Sequence, residues 1–424
     1  MKHFARWAAS AAVGLLFVGG AAAQDAVTLD ILYPQPGFAK FHEPIAAEYQ
    51  KRNPHVTVHF RAPAKDYDEG HLLMQRLAVT NQLPDIYYTG YHLSGELLRV
   101  LARRDQVLDL QPLLDAEPQE WKDANYSQAL LGLGQVDGVQ YGLAFNASLP
   151  ITYVNEDLLS AAGFDPKNIP DNWDGILDIA QKIHAADSGV SGVGYAVHEW
   201  PDDWLWQAIL RQAGSALVDP ETGKAGFDNE GGLAALTRLR SFAVEGSMQL
   251  LEFEQSRQLF IAGQTAFFFD TPARLAQTID LVGDRFTLGT ARFPVDDKET
   301  GGLPTGGSSV IVTASDEAKQ KAAWEFIKFA TGPEAQKIVV ETTGYLPANV
   351  QAPDYLKEFY DADPRFAVVA TQMELARPWE GYQGGASVRI WRAQREIITG
   401  VMRGDISPED GLAQLVSTTN GMLD

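Results

Sequence analysis

Val27–Tyr33 (VTLDILY) is the first of three stretches that indicate the fold class. The other two are Val56–Phe60 (VTVHF) and Pro84–Tyr88 (PDIYY). Each is short, rich in β-branched or aromatic residues and bounded by turn residues, which is the pattern of a strand. Helical spacing of apolar residues lies between them, from about Phe41 to Arg52 and from about Asp68 to Thr80. The order βαβαβ predicts a parallel α/β lobe, whose ligands bind beyond the carboxyl ends of the strands.

Further strands are predicted among a majority of helices. Tyr141–Asn155 is predicted to form two short strands around a proline and to cross between lobes. Phe267–Asp270 and Ser308–Thr313 are also predicted strands. The predicted helices are Trp173–Ala185, Asp203–Ala213, Glu230–Glu245, Glu254–Ala262, Glu317–Thr331, Arg389–Arg403 and Pro408–Leu423.

The first residues have the pattern of an export signal. Lys2 and Arg6 precede the apolar stretch Trp7–Val18, and Ala21–Ala23 resembles a cleavage site. We expect residues 1–23 to be a cleaved signal peptide, with an uncleaved N-terminal anchor as the alternative. No cysteine follows this segment, so the usual lipid anchor is not expected and a free periplasmic protein is.

Composition excludes several classes of function. The chain has no cysteine, which removes thiol nucleophiles, iron–sulfur clusters and cysteine-bound zinc. Its formal net charge is −21, or −23 once Lys2 and Arg6 are removed, which argues against nucleic acid as a partner. The sequence lacks the G-x-S-x-G, H-E-x-x-H, Walker and G-x-G-x-x-G patterns. We therefore predict no catalytic residue, no metal and no cofactor, although an exported enzyme acting on glycosides through dispersed carboxylates stays open.

Aromatic and glycine-rich segments indicate a binding site. The chain contains 9 Trp, 14 Tyr and 20 Phe. Trp200 and Trp204 lie beside acidic residues, and Trp379 lies near arginines. Aromatic faces combined with polar side chains suit sugar rings, which are apolar on their faces and polar at their rims. Thr305–Ser309 and Gly384–Ser387 are turns in which backbone N–H groups could approach a ligand.

Short segments in a fixed order carry a family resemblance along the mature chain. They are Glu48–Val56, Leu83–Ile86, Ile151–Glu156, Ala162–Phe164, Pro170–Trp173, Phe260–Ala266, Gly306–Ser309, Ala323–Phe329 and Thr343–Pro347. With them the chain resembles the extracellular solute-binding proteins, family 1, of ABC importers. The resemblance implies a type II periplasmic binding protein fold, with two α/β lobes, each a mostly parallel sheet flanked by helices, and a ligand cleft between them. We expect residues 24–145 plus about 271–330 in the N-terminal lobe, and about 146–270 plus about 331–424 in the C-terminal lobe.

Within that family, the chain is most similar to maltose-type and glycerol-3-phosphate-type binders. Phe145–Pro150 and Gly344–Pro347 resemble segments that line the cleft of the glycerol-3-phosphate binder. The match fails at Tyr88 or Thr89, where that group has Glu, and at Asp270–Pro272, where it is Ser-rich. An Asp at the cleft repels phosphate and bonds to hydroxyls, which favours a neutral carbohydrate or glycoside.

The resemblance and the residue types together predict which residues face the solute. Trp200, Trp204 and Trp379 are expected to stack on a ring, while Gln35, Ser148 and Asp270 bond to hydroxyls. Gly307 and Ser308 are expected to donate backbone N–H groups, and Tyr345 and Arg389 to hold a polar or anionic end. The full predicted set is Gln35, Tyr67, Tyr88, Ser148, Trp200, Trp204, Asp270, Gly307, Ser308, Tyr345, Trp379 and Arg389.

The predicted function is capture of a sugar, glycoside or polyol for inner-membrane ABC permease subunits, by a monomer. A binder of glycerol-3-phosphate or a glycerophosphodiester is the alternative. A chemosensory or scaffold role, which would need a partner and no permease, also stays open.

Overall fold

Two β-sheets organise the chain in the computed structural model, which describes residues 26–195, 202–297, 301–382 and 386–423. The strands are β1 Val27–Leu32, β2 Val56–Phe60, β3 Ile86–Gly90, β4 Gln135–Val136, β5 Val139–Gln140, β6 Gly142–Ser148, β7 Ile151–Asn155, β8 Ser191–Tyr195, β9 Thr265–Asp270, β10 Leu288–Arg292, β11 Leu303–Val312, β12 Leu346–Pro347 and β13 Ala376–Pro378. The helices are α1 Ala39–Arg52, α2 Tyr67–Thr80, α3 Tyr91–Ala102, α4 Gln111–Ala116, α5 Gln119–Asn125, α6 Gln128–Gly132, α7 Glu156–Ala161, α8 Trp173–Ala186, α9 Asp202–Gln212, α10 Glu230–Val244, α11 Phe253–Ile261, α12 Leu275–Val282, α13 Glu317–Ala330, α14 Pro333–Thr342, α15 Ala352–Ala362, α16 Ser387–Arg403 and α17 Pro408–Leu423.

The first sheet confirms the predicted βαβαβ unit. Its order is β12-β6-β11-β3-β1-β2, and β13 pairs with β11. Strands β2, β1 and β3 are parallel, whereas β11 runs antiparallel to both β3 and β6. Because helices lie against it, the buried residues of β3 and β11 run without alternation, as expected of a covered sheet.

The second sheet has the order β10-β7-β9-β8. Strand β9 (TAFFFD) is buried along its whole length, as its apolar run predicts. Strand β8 (SGVGY) is also buried along its length. It lies in a segment predicted to be mostly helical, because two glycines among five residues weaken the pattern of a strand. The predicted two-lobe mixed α/β fold is confirmed. The second sheet is not mostly parallel as expected, because β7 runs antiparallel to both β10 and β9 and only β8 and β9 are parallel.

Side-chain caps explain why several helices begin where they do. Asp66 accepts the N–H of Glu69 at the start of α2, and Asn172 accepts that of Gly175 at the start of α8. Asn229 caps α10 in the same way. Each such bond satisfies a backbone donor that the helix leaves unpaired and contributes about 1 kcal/mol. The predicted helix bounds agree with the structure to within two residues.

The chain passes between the sheets through short connections. It leaves the first sheet at Ser148 and enters the second at Ile151, and it returns between Arg292 and Leu303. Helices α16 and α17 pack against α10 on the side of the second sheet. We call the first sheet with its helices the first lobe and the second sheet with its helices the second lobe.

Sheet membership bears on the predicted lobe boundaries, which stay a prediction. Strand β10 lies within the range assigned to the N-terminal lobe but pairs with β7 of the second sheet. Strand β12 lies within the range assigned to the C-terminal lobe but pairs with β6 of the first. We therefore propose boundaries near residues 149–150 and between Arg292 and Leu303, with β10 in the second lobe and β12 in the first. Among the residues that the structure describes, no helix combines the length and apolarity needed to cross a membrane.

Candidate ligand-binding cleft

The two sheets meet where strands β6 and β9 end. Ser148 ends β6 opposite Gly306 of β11, and Asp270 ends β9 opposite Ile151 of β7. Thr271, the next residue, places its Oγ1 3.5 Å from Ser148 Oγ. Strand ends are where α/β sheets bind ligands. We call the space around this junction the cleft.

Three hydroxyl groups come together on the first-lobe side of the cleft. Tyr67 begins α2, and its hydroxyl hydrogen-bonds with those of Ser308 and Tyr345. Burial raises the pKa of Tyr67 to about 12, although these hydrogen bonds oppose the rise, so that the group stays a neutral donor and acceptor. The structure thus brings together three of the predicted residues that lie far apart in the sequence.

Asn146 holds the turn that carries Ser308. Its Oδ1 accepts the backbone N–H of Ser308 at 2.9 Å and the Ser308 hydroxyl at 3.3 Å. The Ser308 amide is therefore already used, which corrects the expectation that it donates to a solute. The Asn146 Nδ2 is buried and has no hydrogen-bond partner within the described ranges. A buried donor of this kind is normally satisfied, and a ligand oxygen could satisfy it.

Gly307 is a glycine for reasons of packing. Its φ is 116°, and a Cβ at this position would lie 2.3 Å from the carbonyl oxygen of Asn146. It pairs with Ala147 of β6, and the register between β6 and β11 shifts further along, between Ser308 and Ser309. Close approach of two strands therefore requires this glycine, while donation of its N–H to a solute stays a prediction.

An aromatic stack closes one side of the cleft. The rings of Trp204 and Trp379 are stacked at a centroid distance of 5.5 Å, and Trp379 also stacks on His92 at 4.2 Å. The Trp204 Nε1 donates to the carbonyl oxygen of Pro304 at 2.6 Å. Two rings of the protein thus already stack on Trp379, while its own stacking on a solute ring stays a prediction. Stacking by Trp204 stays a prediction.

Asp270 brings a buried carboxylate to the cleft. Burial raises its pKa from 3.8 to about 6, and the charges of Arg274 and Arg257 oppose that rise. The backbone N–H of Thr271 donates to one carboxylate oxygen at 2.7 Å. At neutral pH the group is ionised, and its other oxygen can accept a hydrogen bond from a solute hydroxyl.

The remaining predicted residues lie in different surroundings. Tyr88 is buried with its ring centroid 4.4 Å from that of His42 and 4.6 Å from that of Phe145, which corrects its assignment to the cleft. Both faces of β3 are covered, so this ring serves the core. Gln35 lies beside the cleft with a φ of 67°. Arg389 is exposed in the first turn of α16, where no hydrogen bond or ion pair joins it to another described residue.

One predicted residue, Trp200, lies outside the described residues. Within those residues, no group of three or more His, Asp or Glu side chains is placed to hold a metal ion.

Three residues of the cleft were missed by the sequence analysis. His92 lies in the first turn of α3, which directly follows β3. This helix gave no clear signal in the sequence, because strand and helix follow each other without a turn. Thr271 directly follows a predicted strand, a position that could have identified it. Asn146 lies within a segment already singled out, but its bond to Ser308 joins residues 162 positions apart.

Comparison with known proteins identifies the family of this cleft. The model for the bacterial extracellular solute-binding proteins matches residues 34–337, which is well over half of the chain. The chain belongs to the bacterial extracellular solute-binding protein family. The resemblance found in the sequence is thereby confirmed.

Curated relatives of this solute-binding protein bind a phosphorylated polyol. The sn-glycerol-3-phosphate-binding periplasmic protein UgpB of Yersinia enterocolitica is 27% identical over 300 residues. The alignment covers 66% of this chain and 66% of the relative, just under two thirds of its length.

Solved structures of similar fold have neutral and charged ligands. UgpB of Mycobacterium tuberculosis, in complex with glycerophosphocholine, has a TM-score of 0.80 at 20% identity and covers 94% of this chain and 98% of its own. The cyclic α-maltosyl-1,6-maltose binding protein of Arthrobacter globiformis has a TM-score of 0.74 at 20% identity, with coverage of 93% and 98%. At this identity the likeness establishes the fold, which is the two-lobe architecture expected from the sequence.

Proposed function

We propose that this protein captures a small hydroxylated solute, a carbohydrate or glycoside, and delivers it to an ABC permease of the inner membrane. The observation that carries the proposal is the meeting of Tyr67, Ser308 and Tyr345 with Ser148 and Asp270 where the two sheets join. Several neutral hydroxyls and one carboxylate form a set of donors and acceptors suited to solute hydroxyls. Contacts from both lobes would stabilise a closed state around the solute.

Glycerol-3-phosphate or a glycerophosphodiester is the second candidate. It is supported by the curated UgpB relatives and by the structural neighbour solved with glycerophosphocholine. The buried Asp270 is the residue that favours the neutral solute, because a carboxylate beside a phosphate repels it.

The accompanying proposals follow from the same role. The protein acts as a periplasmic monomer after cleavage of residues 1–23, binds without catalysis and needs no cofactor. An enzyme acting on glycosides would differ by releasing product from labelled oligosaccharides.

A thermal-shift screen over sugars, glycosides, polyols and glycerol phosphates tests the proposal. A solute at about 100 times its Kd should add about 2.7 kcal/mol to the free energy of unfolding. The Asp270→Ala variant should lose most of that gain for a neutral solute. Asp178→Ala, an exposed Asp on α8, is the matched control and should keep it. A response to glycerol-3-phosphate with none to any sugar would reverse the order of the two candidates.

A further inference from the structure

One face of α16 lies against the first lobe, although the helix packs on α10 and α17 of the second. The ring of Trp391 on this face has its centroid 5.4 Å from that of His92 in α3. Just before α16, Gly381 approaches α3 so closely that a Cβ there would lie 2.4 Å from the carbonyl oxygen of His92. Ser387 and Arg395 lie one turn on either side of Trp391, so they share its face of the helix. The start of α16 therefore meets α3 across the boundary between the lobes.

Glu96, one turn after His92 on α3, brings a buried carboxylate to this contact. Its side chain is 6% exposed. His71 Nε2 and Gln75 Nε2 both donate to its Oε1, each at 2.9 Å, so two residues of α2 fix its orientation. Its Oε2 is buried and has no hydrogen-bond partner within the described ranges. The first lobe thus holds one oxygen of this carboxylate and leaves the other available.

The second lobe presents the positive end of a helix to Glu96. Ser387, the first residue of α16, donates its hydroxyl to the carbonyl oxygen of Tyr382 at 2.9 Å and is also close enough to lower the pKa of Glu96. The first turn of α16 contains no acidic residue, and its cap residue, Ala386, has no side-chain acceptor. The N–H groups that begin a helix lack intrahelical partners and carry partial positive charge. Glu96 therefore supplies, from the other lobe, the negative charge that the start of α16 lacks.

The pKa of Glu96 indicates that its surroundings favour the charged form. Burial raises this pKa, but hydrogen bonds from His71, Ser387 and Gln75 outweigh that effect and hold it below its ordinary value. At neutral pH the carboxylate is therefore ionised. Its attraction to the helix end is stronger than at an exposed site, because electrostatic interactions strengthen where water is excluded.

A second pair of opposite charges lies further along the same face of α16. Asp68, near the start of α2, is partly buried. Burial raises its pKa, as does the charge of Asp66, whereas the charges of Arg392, Arg395 and His71 lower it. The two arginines belong to α16, and the carboxylate belongs to the first lobe. Both contacts thus place negative charge of the first lobe against positive charge of α16.

Opening of the lobes would break these contacts, because the two halves of each contact belong to different lobes. The start of α16 would lose its carboxylate, and the rings of His92 and Trp391 would separate. We propose that this face of α16 is a latch between the lobes, in which Glu96, oriented by His71 and Gln75, attracts the start of α16 and stabilises the closed arrangement before any solute is bound. The latch adds to the contacts that a solute makes with both lobes, and it does not depend on which solute the cleft accepts.

Distances between spin labels measure the latch in the protein without solute. The chain has no cysteine, so nitroxides attach only to introduced ones. Arg76→Cys on α2 and Glu396→Cys on α16 provide exposed sites in different lobes. Pulsed electron resonance should give a main population at short distance, from the closed arrangement, and a minor one at longer distance. Glu96→Gln keeps the size of the side chain and removes its charge, so it should lower the ratio of short to long population about fivefold.

Two controls separate the latch from general effects of charge and size. Glu120→Gln removes the charge of an exposed glutamate on α5 of the first lobe and should leave the ratio unchanged. Ser387→Asp places an acid in the first turn of α16, which favours the helix itself but repels Glu96. It should lower the ratio at least about fivefold more than Ser387→Asn, which has the same size and no charge. Combined with Glu96→Gln, the difference between the Asp and Asn variants should disappear, because the repulsion needs both charges.

The possible results decide the matter without a solute. An unchanged ratio in Glu96→Gln, or the same fall in Glu120→Gln, would overturn the latch. A difference between Ser387→Asp and Ser387→Asn that persists in Glu96→Gln would also overturn it, since the two positions would then act independently. Circular dichroism shows whether Glu96→Gln folds, and if it does not, the comparison of Ser387→Asp with Ser387→Asn decides alone. Because every sample lacks solute, failure of the latch leaves the carbohydrate proposal standing.

Discussion

Asp270, which we propose binds a solute hydroxyl, is a residue whose burial costs stability. Its side chain is 9% exposed, and burial raises its pKa from 3.8 to about 6. A carboxyl group that binds its proton more tightly when folded makes the protein less stable as pH rises from about 4 to about 6. Above that range the full cost of the buried charge is present.

We expect Asp270→Asn to stabilise the protein at neutral pH. The amide oxygen can still accept the N–H of Thr271, and the buried charge is gone. The free energy of unfolding should rise by about 2–3 kcal/mol at about pH 7 and change little at about pH 4. Urea unfolding at both pH values measures this. An equal change at both would mean that ionisation of Asp270 does not carry the effect.

His92 is a second residue whose pKa is shifted by burial. It is stacked between aromatic rings, its Nδ1 has no partner among the described residues, and burial lowers its pKa to about 3. The unfolded chain takes up this proton near pH 6.5 and the folded protein does not. Stability from the neutral ring is therefore present above about pH 6.5 and lost as pH falls towards about 3.

Replacement by His92→Phe should remove this sensitivity to acid. The new ring can keep the stack on Trp379, so Tm near neutral pH should stay within a few degrees of the wild type. At about pH 5 the variant should unfold at a higher temperature than the wild type. His92→Ala should instead lose about 3 kcal/mol near neutral pH, because the stack is lost, and less in acid, where the wild type itself is destabilised by His92. A Phe variant with unchanged acid sensitivity would show that other groups dominate.

At the scale of elements, β11 joins the parts of the cleft. Its first residues pair with β13, and its middle pairs with β6 and β3 on either side. Gly306 and Gly307 lie next to each other on this strand but meet different surroundings. A Cβ on Gly306 would lie 3.0 Å from Ser148 Oγ and 3.3 Å from the Trp204 ring, so it would approach side chains rather than backbone.

The two glycines should therefore respond differently to substitution. Gly307→Ala needs a side chain at φ 116° and 2.3 Å from a backbone oxygen, so it should cost more than about 2 kcal/mol of stability. Gly306→Ala should cost less stability and weaken solute binding, because its methyl group enters the cleft. Thermal unfolding and calorimetry on both variants measure this. Equal stability losses would mean that both positions are structural.

At the scale of the whole molecule, the contact between the lobes is expected to depend on the solute. His92 belongs to the first lobe, whereas Trp379 is held to α9 of the second through the bond from Gln207 Nε2 to the Glu380 carbonyl oxygen, at 2.8 Å. Opening the lobes would separate the two rings. The closed state gains when a solute contacts both sides.

We expect small-angle scattering to show a smaller radius of gyration with a bound solute than without. His92→Ala, which removes a contact of the closed form, should increase the radius of the free protein and weaken binding. Saturating solute should restore the wild-type radius. A radius that is the same in all four samples would show that binding does not require closure.

Local patterns in the sequence were enough to predict most of the elements and the family. Period-two and helical spacing gave β1, α1, β2, α2 and β3 close to their observed bounds, because each follows from local propensity and capping. Strand β8 was not predicted, because its glycines are required by close packing against neighbouring elements. There a Cβ on Gly192 would lie 2.5 Å from Ala180.

Which residues meet in the cleft depends on tertiary packing. Tyr67, Ser308 and Tyr345 are joined by strand order and lobe packing, and the sequence distance between them carries no such signal. Tyr88 was wrongly assigned because strand position does not reveal that both faces of β3 are covered. Helices and strands depend on interactions between residues that are close in the sequence. A binding site depends on packing between elements that are far apart in the sequence.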